Sequence, residues 1–294
     1  MSYLLAVDGG GTSCRAAIAN LDGDILGRAT TGSANIATDP DGATASIIEA
    51  ARRALTDSRL TDVRLEDIDA YLGLAGANVG SNDHDMIAHL PFRRTHIDDD
   101  ANVALQGALG WDDGVLAVLG TGSVYIGRRG SDVVRVGGWG FMIGDLGSGA
   151  RLGRALLQDT LLAYDRILPR SELTRSVLRD FGDDPNRMVV EAQSEKPGGF
   201  ARFAPRVFEY ADNGDEVGLA LVKGAVSHVN AALAAVTWYG CQRLCLLGGL
   251  ADLYKPRISE SFRAILRPPK NDALRGAVEL GIRHFHSVQH ERTA

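Results

Sequence analysis

The sequence predicts an α/β protein with two domains, each built on a mixed sheet and related to the other by internal duplication. Residues 5–12 (LAVDGGGT) and 116–123 (LAVLGTGS) both read as an apolar strand that enters a glycine turn and ends in a hydroxyl residue. Each copy continues into two further strand-like runs, and helical patterns follow both copies. The length of 294 residues fits two domains of ordinary size.

The elements follow in order along the chain. After the glycine turns, strands are predicted at residues 14–19, 25–26, 124–127 and 133–136, separated by polar turns. Two further apolar runs, 71–74 and 243–247, end in glycine and predict buried strands. Apolar residues at helical spacing predict helices at 43–55, 101–109, 152–162, 218–236 and 276–285. The polar stretch 171–205 is interpreted as helices and loops.

The turn at residues 107–113 is the expected domain boundary. It gives an N-terminal domain over 1–111 and a C-terminal domain over 112–281, the second with a helical insertion. The C-terminal helix, residues 282–294, is a candidate to pack back on the first domain.

Charge and composition exclude several classes of protein. The formal net charge of −6 argues against a dedicated nucleic-acid binder, which usually has a basic face. The longest apolar run, residues 115–119, is far short of the roughly 20 residues that cross a bilayer, and no signal peptide is apparent. We therefore expect no membrane partner. Three cysteines make no disulfide framework, so we expect a cytoplasmic protein.

The paired glycine turns are candidate phosphate loops. Neither has the lysine of a P-loop, but glycine turns let backbone N–H groups converge on phosphate oxygens. The candidate residues are Gly9, Gly10, Gly11 and Thr12 in the first copy and Gly120, Thr121, Gly122 and Ser123 in the second. Asp8, at the strand end, is a candidate to hold Mg²⁺ through water. The alternative is a pair of tight turns without a ligand.

A family resemblance rests on three of these segments. DGGGT at 8–12, GTGS at 120–123 and LLGG at 246–249 resemble the two phosphate loops and the adenosine loop of the sugar kinase, Hsp70 and actin superfamily. Segments 9–17, 33–36, 99–101, 137–153 and 268–277 resemble bacterial N-acetylglucosamine and glucosamine kinases, of the BadF/BadG/BcrA/BcrD-type ATPase group. The resemblance implies two ribonuclease-H-like (actin-like ATPase) domains, ATP with Mg²⁺, Gly248 and Gly249 at the adenosine, and a homodimer.

The resemblance also implies an activity and its residues. The activity would be ATP-dependent transfer of the γ-phosphate to O6 of N-acetyl-D-glucosamine or D-glucosamine, with Asp100 as general base. Asp98 and Asp99 beside it are interpreted as a solvated face. The implied sugar-binding residues are Asn35, Gly138, Trp139 and Asp145.

Residue chemistry leaves alternatives open at these positions. A carboxylate such as Asp145 accepts bonds from adjacent sugar hydroxyls. Asn35 could equally close a local turn, and Trp139 could be core packing. ATP is expected between the domains, with the sugar deeper in the cleft.

Two other functions are weighed against the kinase. An ATPase that activates a partner enzyme would, by the resemblance, need a cysteine-held iron–sulfur cluster, and a sugar-binding regulator would lack the base or the phosphate loops. Cys241 and Cys245 are interpreted as small buried hydrophobes. Residues 147–153 are a weak match to a dinucleotide fingerprint, because the spacing is one residue too long and no strand precedes it.

Overall fold

The computed structural model describes residues 2–77 and 83–290, which fall in two compact units. The first unit is Met1–Asp112 with Pro269–Ala294, and the second is Asp113–Pro268. The strands are β1 Leu4–Gly9, β2 Cys14–Ala19, β3 Ile25–Thr31, β4 Asp69–Leu74, β5 Arg94–Asp99, β6 Gly114–Leu119, β7 Ser123–Arg129, β8 Asp132–Gly137 and β9 Leu244–Leu247.

Twelve α-helices lie in the described part of the chain, with one 3₁₀ turn at Leu65–Asp67. They are α1 Pro40–Asp57, α2 Asp83–His89, α3 Asp100–Leu109, α4 Gly149–Tyr164, α5 Glu172–Asp180, α6 Pro185–Ser194, α7 Pro197–Ala201, α8 Ala204–Asp212, α9 Glu216–Val236, α10 Ala251–Tyr254, α11 Glu260–Ala264 and α12 Ala273–His290.

Capping residues explain why several helices begin before their apolar pattern does. The Asp39 carboxylate accepts a hydrogen bond from the Gly42 N–H (3.0 Å) and starts α1 three residues ahead of the predicted helix. Ser148 starts α4 and Asp215 starts α9 in the same way. An oxygen-bearing side chain satisfies backbone N–H groups of the first turn, so a polar residue rather than an apolar one marks the boundary.

The sheet of the first unit has the order β3-β2-β1-β4-β5. Strands β1 to β3 form an antiparallel meander, and β4 and β5 run parallel to β1. Alternate residues of β1 point to opposite faces, so Leu5 and Val7 join a core with α1, while Leu4 and Ala6 join a core with α12. Both faces of the sheet are therefore covered, as a sheet with parallel strands requires.

The second unit repeats the same meander with a smaller sheet, in the order β8-β7-β6-β9. Strand β9 runs parallel to β6, and helices α4, α8 and α9 supply the core beside it. The predicted fold class is confirmed: two ribonuclease-H-like units with mixed sheets. Helices α4 to α9 lie between β8 and β9.

Helix α9 is long and apolar enough to cross a membrane, by length and composition alone. A core helix of a globular unit meets the same criteria. Val222, Val229 and Leu233 of α9 are buried in the core of the second unit, although 28% of the apolar window of the helix is buried.

Residues 269–281 lie in the first unit, although the predicted boundaries give them to the C-terminal domain. The backbone N–H groups of Lys270 and Asn271 donate to the carbonyls of Ala108 and Gly107, at 3.0 and 2.8 Å. Ala277 and Val278 of α12 then pack with Val103 of α3. These contacts join segments about 170 residues apart, which local sequence patterns do not reveal. The last four residues of the predicted helix 282–294 lie outside the described residues.

Candidate active site

In the first unit, the ends of three parallel strands bring the predicted residues to one edge of the sheet. Gly9 at the end of β1 pairs with Leu74 of β4, and Leu74 pairs with Asp99 of β5. Neighbouring strands lie about 4.8 Å apart, so the glycine loop and the start of α3 are about 10 Å apart. Asp100 is the first residue of α3 and therefore lies at the same edge as the loop.

The glycines of the loop differ in how much space surrounds them. A Cβ on Gly9 would lie 2.7 Å from Leu74 Cδ2 and 2.9 Å from Ala34 Cβ, so packing alone requires glycine there. A Cβ on Gly11 would meet nothing within 4 Å. The protein's own packing therefore explains Gly9 but leaves Gly11 open to a ligand. Thr12 is exposed beside it.

The segment that carries Asn35 is attached to this edge through its backbone. The Ala34 N–H donates to Gly10 O and the Ile36 N–H to Ala75 O, both at 3.0 Å. Asn35 Oδ1 accepts a hydrogen bond from the Ala37 N–H (3.0 Å), so the residue does close a local turn. A turn and a ligand contact are compatible here, because Asn35 Nδ2 donates to no residue in the described ranges.

The interpretation of Asp98 and Asp99 as a solvated face is wrong. Asp99 is buried and caps α3, accepting a hydrogen bond from the Ala101 N–H at 2.7 Å. Asp98 accepts hydrogen bonds from the Tyr71 hydroxyl (2.5 Å) and Asn102 Nδ2 (2.7 Å). Both carboxylates therefore stabilise local structure: Asp99 caps α3, and Asp98 connects β5 with Tyr71 of β4. Asp100 is half-buried at the N-terminus of α3, where the helix dipole favours a negative charge.

Asp8 lies opposite Arg15 in the β1–β2 hairpin and forms an ion pair with it, Arg15 Nε donating to Asp8 Oδ2 at 2.8 Å. Burial raises the pKa of Asp8, and Arg15 opposes the shift. Both hydrogen bonds that Arg15 donates to Asp8 fall on Oδ2, and Arg15 also forms an ion pair with Asp272 at 3.7 Å. Among the described residues there is no group of three or more potential ligands. A single carboxylate with water and phosphate is one way in which proteins bind Mg²⁺. The hairpin register could have revealed Arg15 from the sequence.

In the second unit, the predicted second phosphate loop and adenosine loop lie side by side, because β6 and β9 are adjacent and parallel. The Leu250 N–H donates to Leu119 O (3.0 Å), just before Gly120. Gly248 has a φ of +94°, and a Cβ there would lie 2.3 Å from Leu119 O, so this turn requires glycine. The Gly149 N–H donates to Gly120 O (2.8 Å), which attaches the start of α4 to the phosphate loop.

Asp145 faces the second phosphate loop. A Cβ on Gly122 would lie 2.9 Å from Asp145 Oδ2, and Asp145 Oδ1 accepts a hydrogen bond from the Gly140 N–H at 3.1 Å. Burial raises the pKa of Asp145, while the Gly140 hydrogen bond and the charge of Arg151 oppose the shift. Asp145 is 8% exposed and adopts a φ of +55°.

The structure also describes two candidate sugar-binding residues, Gly138 and Trp139, and the last residue of the second phosphate loop, Ser123. Trp139 is 74% exposed, so the core-packing alternative for it is wrong. Gly138 adjoins it with a positive φ of +73°. The Ser123 hydroxyl is buried and donates to Leu146 O at 3.0 Å, so any phosphate contact at this loop comes from its backbone and Thr121.

Two other sequence features have structural explanations. Residues 147–153 start α4, where Gly153 packs so closely on Phe200 that a Cβ would lie 1.9 Å from its carbonyl oxygen.

Cys14, Cys241 and Cys245 are all buried. Burial raises the pKa of Cys14 to about 12 and also raises that of Cys245, which disfavours the thiolate form that binds metals.

Comparison with known proteins identifies a family and related kinases. The model of the BadF/BadG/BcrA/BcrD ATPase family matches residues 5–280. A glucosamine kinase of Vibrio cholerae is 33% identical over 98% of both chains. An N-acetyl-D-glucosamine kinase of Dictyostelium discoideum is 28% identical over 88% of this chain and 90% of its own.

Solved structures show the same fold. A candidate N-acetylglucosamine kinase from Chromobacterium violaceum superposes with a TM-score of 0.88 at 30% identity, covering 96% of this chain and 99% of its own. A ROK family glucokinase from Streptomyces griseus, at 17% identity, superposes with a TM-score of 0.57 over 95% of this chain and 99% of its own. The second likeness supports the fold alone.

Proposed function

Because the chain belongs to the BadF/BadG/BcrA/BcrD ATPase family, we propose that it is an ATP-dependent amino-sugar kinase that phosphorylates O6 of N-acetyl-D-glucosamine or D-glucosamine. The observation that carries the proposal is the sheet edge of the first unit. There the open glycine loop and Asp100 follow the ends of β1 and β5, and backbone hydrogen bonds attach the Asn35 segment beside the loop, which supports a shared site. Phosphoryl transfer needs this combination of phosphate positioning and a carboxylate near the acceptor.

In the proposed reaction, the Asp100 carboxylate accepts the proton of the sugar O6 hydroxyl. A bond forms between O6 and the γ-phosphorus, and the bond from that phosphorus to the bridging oxygen breaks. ADP leaves with the electron pair of the broken bond. Asn35, Gly138, Trp139 and Asp145 are proposed to hold the sugar so that O6 is in line with the breaking bond.

The nucleotide is proposed to bind through backbone more than through side chains. In the first unit Gly9 to Thr12 would bind phosphate, and in the second Gly120 to Gly122 would do so, with Gly248 and Gly249 at the adenosine. When bound, Mg²⁺ neutralises charge on the phosphates. Asp8 would hold the ion through water, and Arg15 keeps its carboxylate oriented.

A coupled assay of ADP release tests the proposal. Purified protein is given MgATP and, separately, D-glucosamine, N-acetyl-D-glucosamine, other hexoses and the 6-deoxy form of the preferred sugar. We expect turnover that depends on an amino sugar and disappears with the 6-deoxy analogue. Equal ADP release with and without sugar would overturn the kinase assignment, and turnover of the 6-deoxy analogue would overturn O6 as the acceptor.

The second candidate is an ATPase that activates a partner enzyme, which other members of the superfamily suggest. By the resemblance it would need cysteines that hold an iron–sulfur cluster, and no group of three or more potential metal ligands is found among the described residues. Sugar-independent ATP hydrolysis would favour this candidate. A sugar-binding regulator is the weaker alternative, because Asp100 and both glycine loops are present. The cytoplasmic location and the homodimer stay predictions.

A further inference from the structure

The loop that carries Asp145 is held from inside by three buried hydroxyl groups. Ser123 Oγ and the Tyr125 hydroxyl donate to Leu146 O at 3.0 and 3.2 Å. The Tyr254 hydroxyl donates to Gly147 O at 2.7 Å. These two carbonyls belong to the residues that directly follow Asp145, so the hydroxyls fix two consecutive peptide groups beside the carboxylate. We refer to Ser123, Tyr125 and Tyr254 as the hydroxyl clamp.

The clamp is buried although the loop is at the surface. Tyr125 is 1% exposed and Tyr254 is 0% exposed, whereas the side chain of Leu146 is 43% exposed. The loop therefore turns its carbonyls inward and its apolar side chain outward. Burial raises the pKa of both tyrosines, so both hydroxyls remain protonated donors at neutral pH.

Asp145 needs such support. Its φ of +55° is in the left-handed region, which non-glycine residues adopt only when the surrounding structure holds them there. Its own described contacts are three: the Gly140 N–H on Oδ1, the Ser148 N–H on its carbonyl oxygen (3.1 Å) and the close approach of Oδ2 to Gly122. Only one of these contacts is a hydrogen bond to the carboxylate, so the backbone of the loop, including the two peptides after Asp145, also determines where the carboxylate lies.

The clamp residues come from the two proposed nucleotide loops. Ser123 ends the second phosphate loop and begins β7, which also carries Tyr125. Tyr254 ends α10, which begins two residues after Gly249. The segments proposed to bind ATP in this unit therefore also hold the loop proposed to bind sugar.

We propose that Tyr125 and Tyr254 are positioning residues for the sugar, holding Asp145 through the Leu146 and Gly147 carbonyls where it binds the sugar hydroxyls. This inference rests on the proposed amino-sugar kinase function. Tyr254 has the larger role, because its hydroxyl is the one described donor to Gly147 O. Ser123 shares the Leu146 carbonyl with Tyr125 and partly replaces it.

The test compares Tyr254→Phe, Tyr125→Phe and Thr160→Val in steady-state kinetics. Removing a buried donor from a carbonyl is expected to raise the sugar KM about tenfold in Tyr254→Phe and about threefold in Tyr125→Phe. The KM for ATP is expected to stay within about twofold. Thr160→Val is the matched control, because it removes another buried hydroxyl bonded to a carbonyl, Leu156 O at 2.8 Å, away from the loop.

Thermal unfolding separates positioning from stability. A merely structural role would lower the unfolding temperature and the active fraction in the tyrosine and threonine variants alike, and the sugar KM would stay unchanged. That result would overturn the inference. A rise in the KM for ATP in place of the sugar KM would also overturn it, since Asp145 would then act on the nucleotide.

A double-mutant cycle tests whether the clamp acts through Asp145. In the Asp145→Asn background, Tyr254→Phe is expected to change the sugar KM by less than twofold, because its target is already lost. A full tenfold effect in that background would overturn the route through Asp145. Sugar-independent turnover of the unchanged protein would instead refute the proposed function, so the two failures are distinguishable.

Discussion

The two proposed catalytic-site carboxylates are held in different ways. Asp100, in the first unit, follows β5 directly and begins α3, so regular backbone structure fixes its position. Asp145, in the second unit, lies in the loop between β8 and α4, and side-chain hydroxyls distant in sequence hold that loop. One carboxylate depends on secondary structure, and the other depends on buried side chains.

The difference matches the two proposed tasks, proton transfer by Asp100 and sugar binding by Asp145. A group that receives a proton tolerates little displacement, and an element end defined by backbone hydrogen bonds meets that need. A group that binds sugar hydroxyls can be adjusted by substitution of the residues behind it, with the chemistry left intact. We therefore expect variants around Asp100 to alter kcat and variants around Asp145 to alter the sugar KM.

Asp100→Asn gives the largest expected effect. The amide keeps the size of the side chain but does not accept the proton, so kcat is expected to fall by about 10²- to 10⁴-fold. The coupled ADP assay measures this, with Asp112→Asn as a control, because Asp112 is an exposed partner of Lys270 at 2.6 Å. A correctly folded Asp100→Asn that keeps most of its rate would break the proposed division of roles.

Two glycines of the phosphate loop in the first unit can be compared: Gly9, which packing requires, and Gly11, which is open to a ligand. Gly9→Ala places a Cβ 2.7 Å from Leu74, so it is expected to lower the free energy of unfolding by about 1–3 kcal/mol. Gly11→Ala meets no atom within 4 Å, so its stability is expected to be unchanged within about 0.5 kcal/mol.

Kinetics complete the glycine pair. If phosphate approaches the backbone at Gly11, the added methyl group is expected to raise the KM for ATP at least about tenfold, which costs about 1.4 kcal/mol of binding. Chemical denaturation and ATP titration together measure both effects. An unchanged KM for ATP in Gly11→Ala would show that the loop is only a tight turn.

Local motifs explain which parts of the site the sequence predicts. The glycine loops and the start of α3 depend on a few contiguous residues, so DGGGT, GTGS and the helix that begins next to Asp100 can be predicted from the sequence. The meander repeated in both units is also local, because each strand pairs with the next along the chain. These are the features for which sequence order and spatial order agree.

Long-range partners explain what the sequence does not reveal. Asp98 bonds to Tyr71, 27 residues away, and Tyr254 bonds to Gly147, 107 residues away. Nothing in the run Asp98–Asp100 distinguishes a structural carboxylate from a solvated one until β4 and β5 are paired. The same limit applies to residues 269–281, whose unit is decided by contacts with α3.

Asp69→Asn tests whether a change at the opposite end of the first unit's sheet leaves the proposed site around Asp100 unaffected. Asp69 begins β4, at the end opposite Leu74, and accepts hydrogen bonds from Arg93 and Arg94. Burial acts to raise the pKa of Asp69, but the hydrogen bonds and charges of both arginines together lower it to about 2. The arginines are partly exposed, so the loss of stability is expected to be about 2 kcal/mol at pH 7.

The pH dependence of that loss has a definite sign. Because the folded pKa is depressed, the contribution of Asp69 is present in full above about pH 5 and falls progressively as the pH approaches about 2. Urea unfolding at pH 7 and pH 4 is expected to show a smaller difference between the two proteins at pH 4. Both KM values are expected to be unchanged, and a raised KM would mean that the site depends on more than the strand ends.

Trp139→Ala gives the smallest expected effect and tests the loop of the second unit at its exposed end. Trp139 is 74% exposed, so its removal is expected to change the free energy of unfolding by less than about 0.5 kcal/mol. If the indole lies against the sugar, the sugar KM is expected to rise about threefold to tenfold with kcat nearly unchanged. Tyr239→Ala is the control, because Tyr239 is fully exposed in the same unit. Equal KM values for both variants would leave Asp145 as the loop's recognition residue and remove Trp139 from the proposed set.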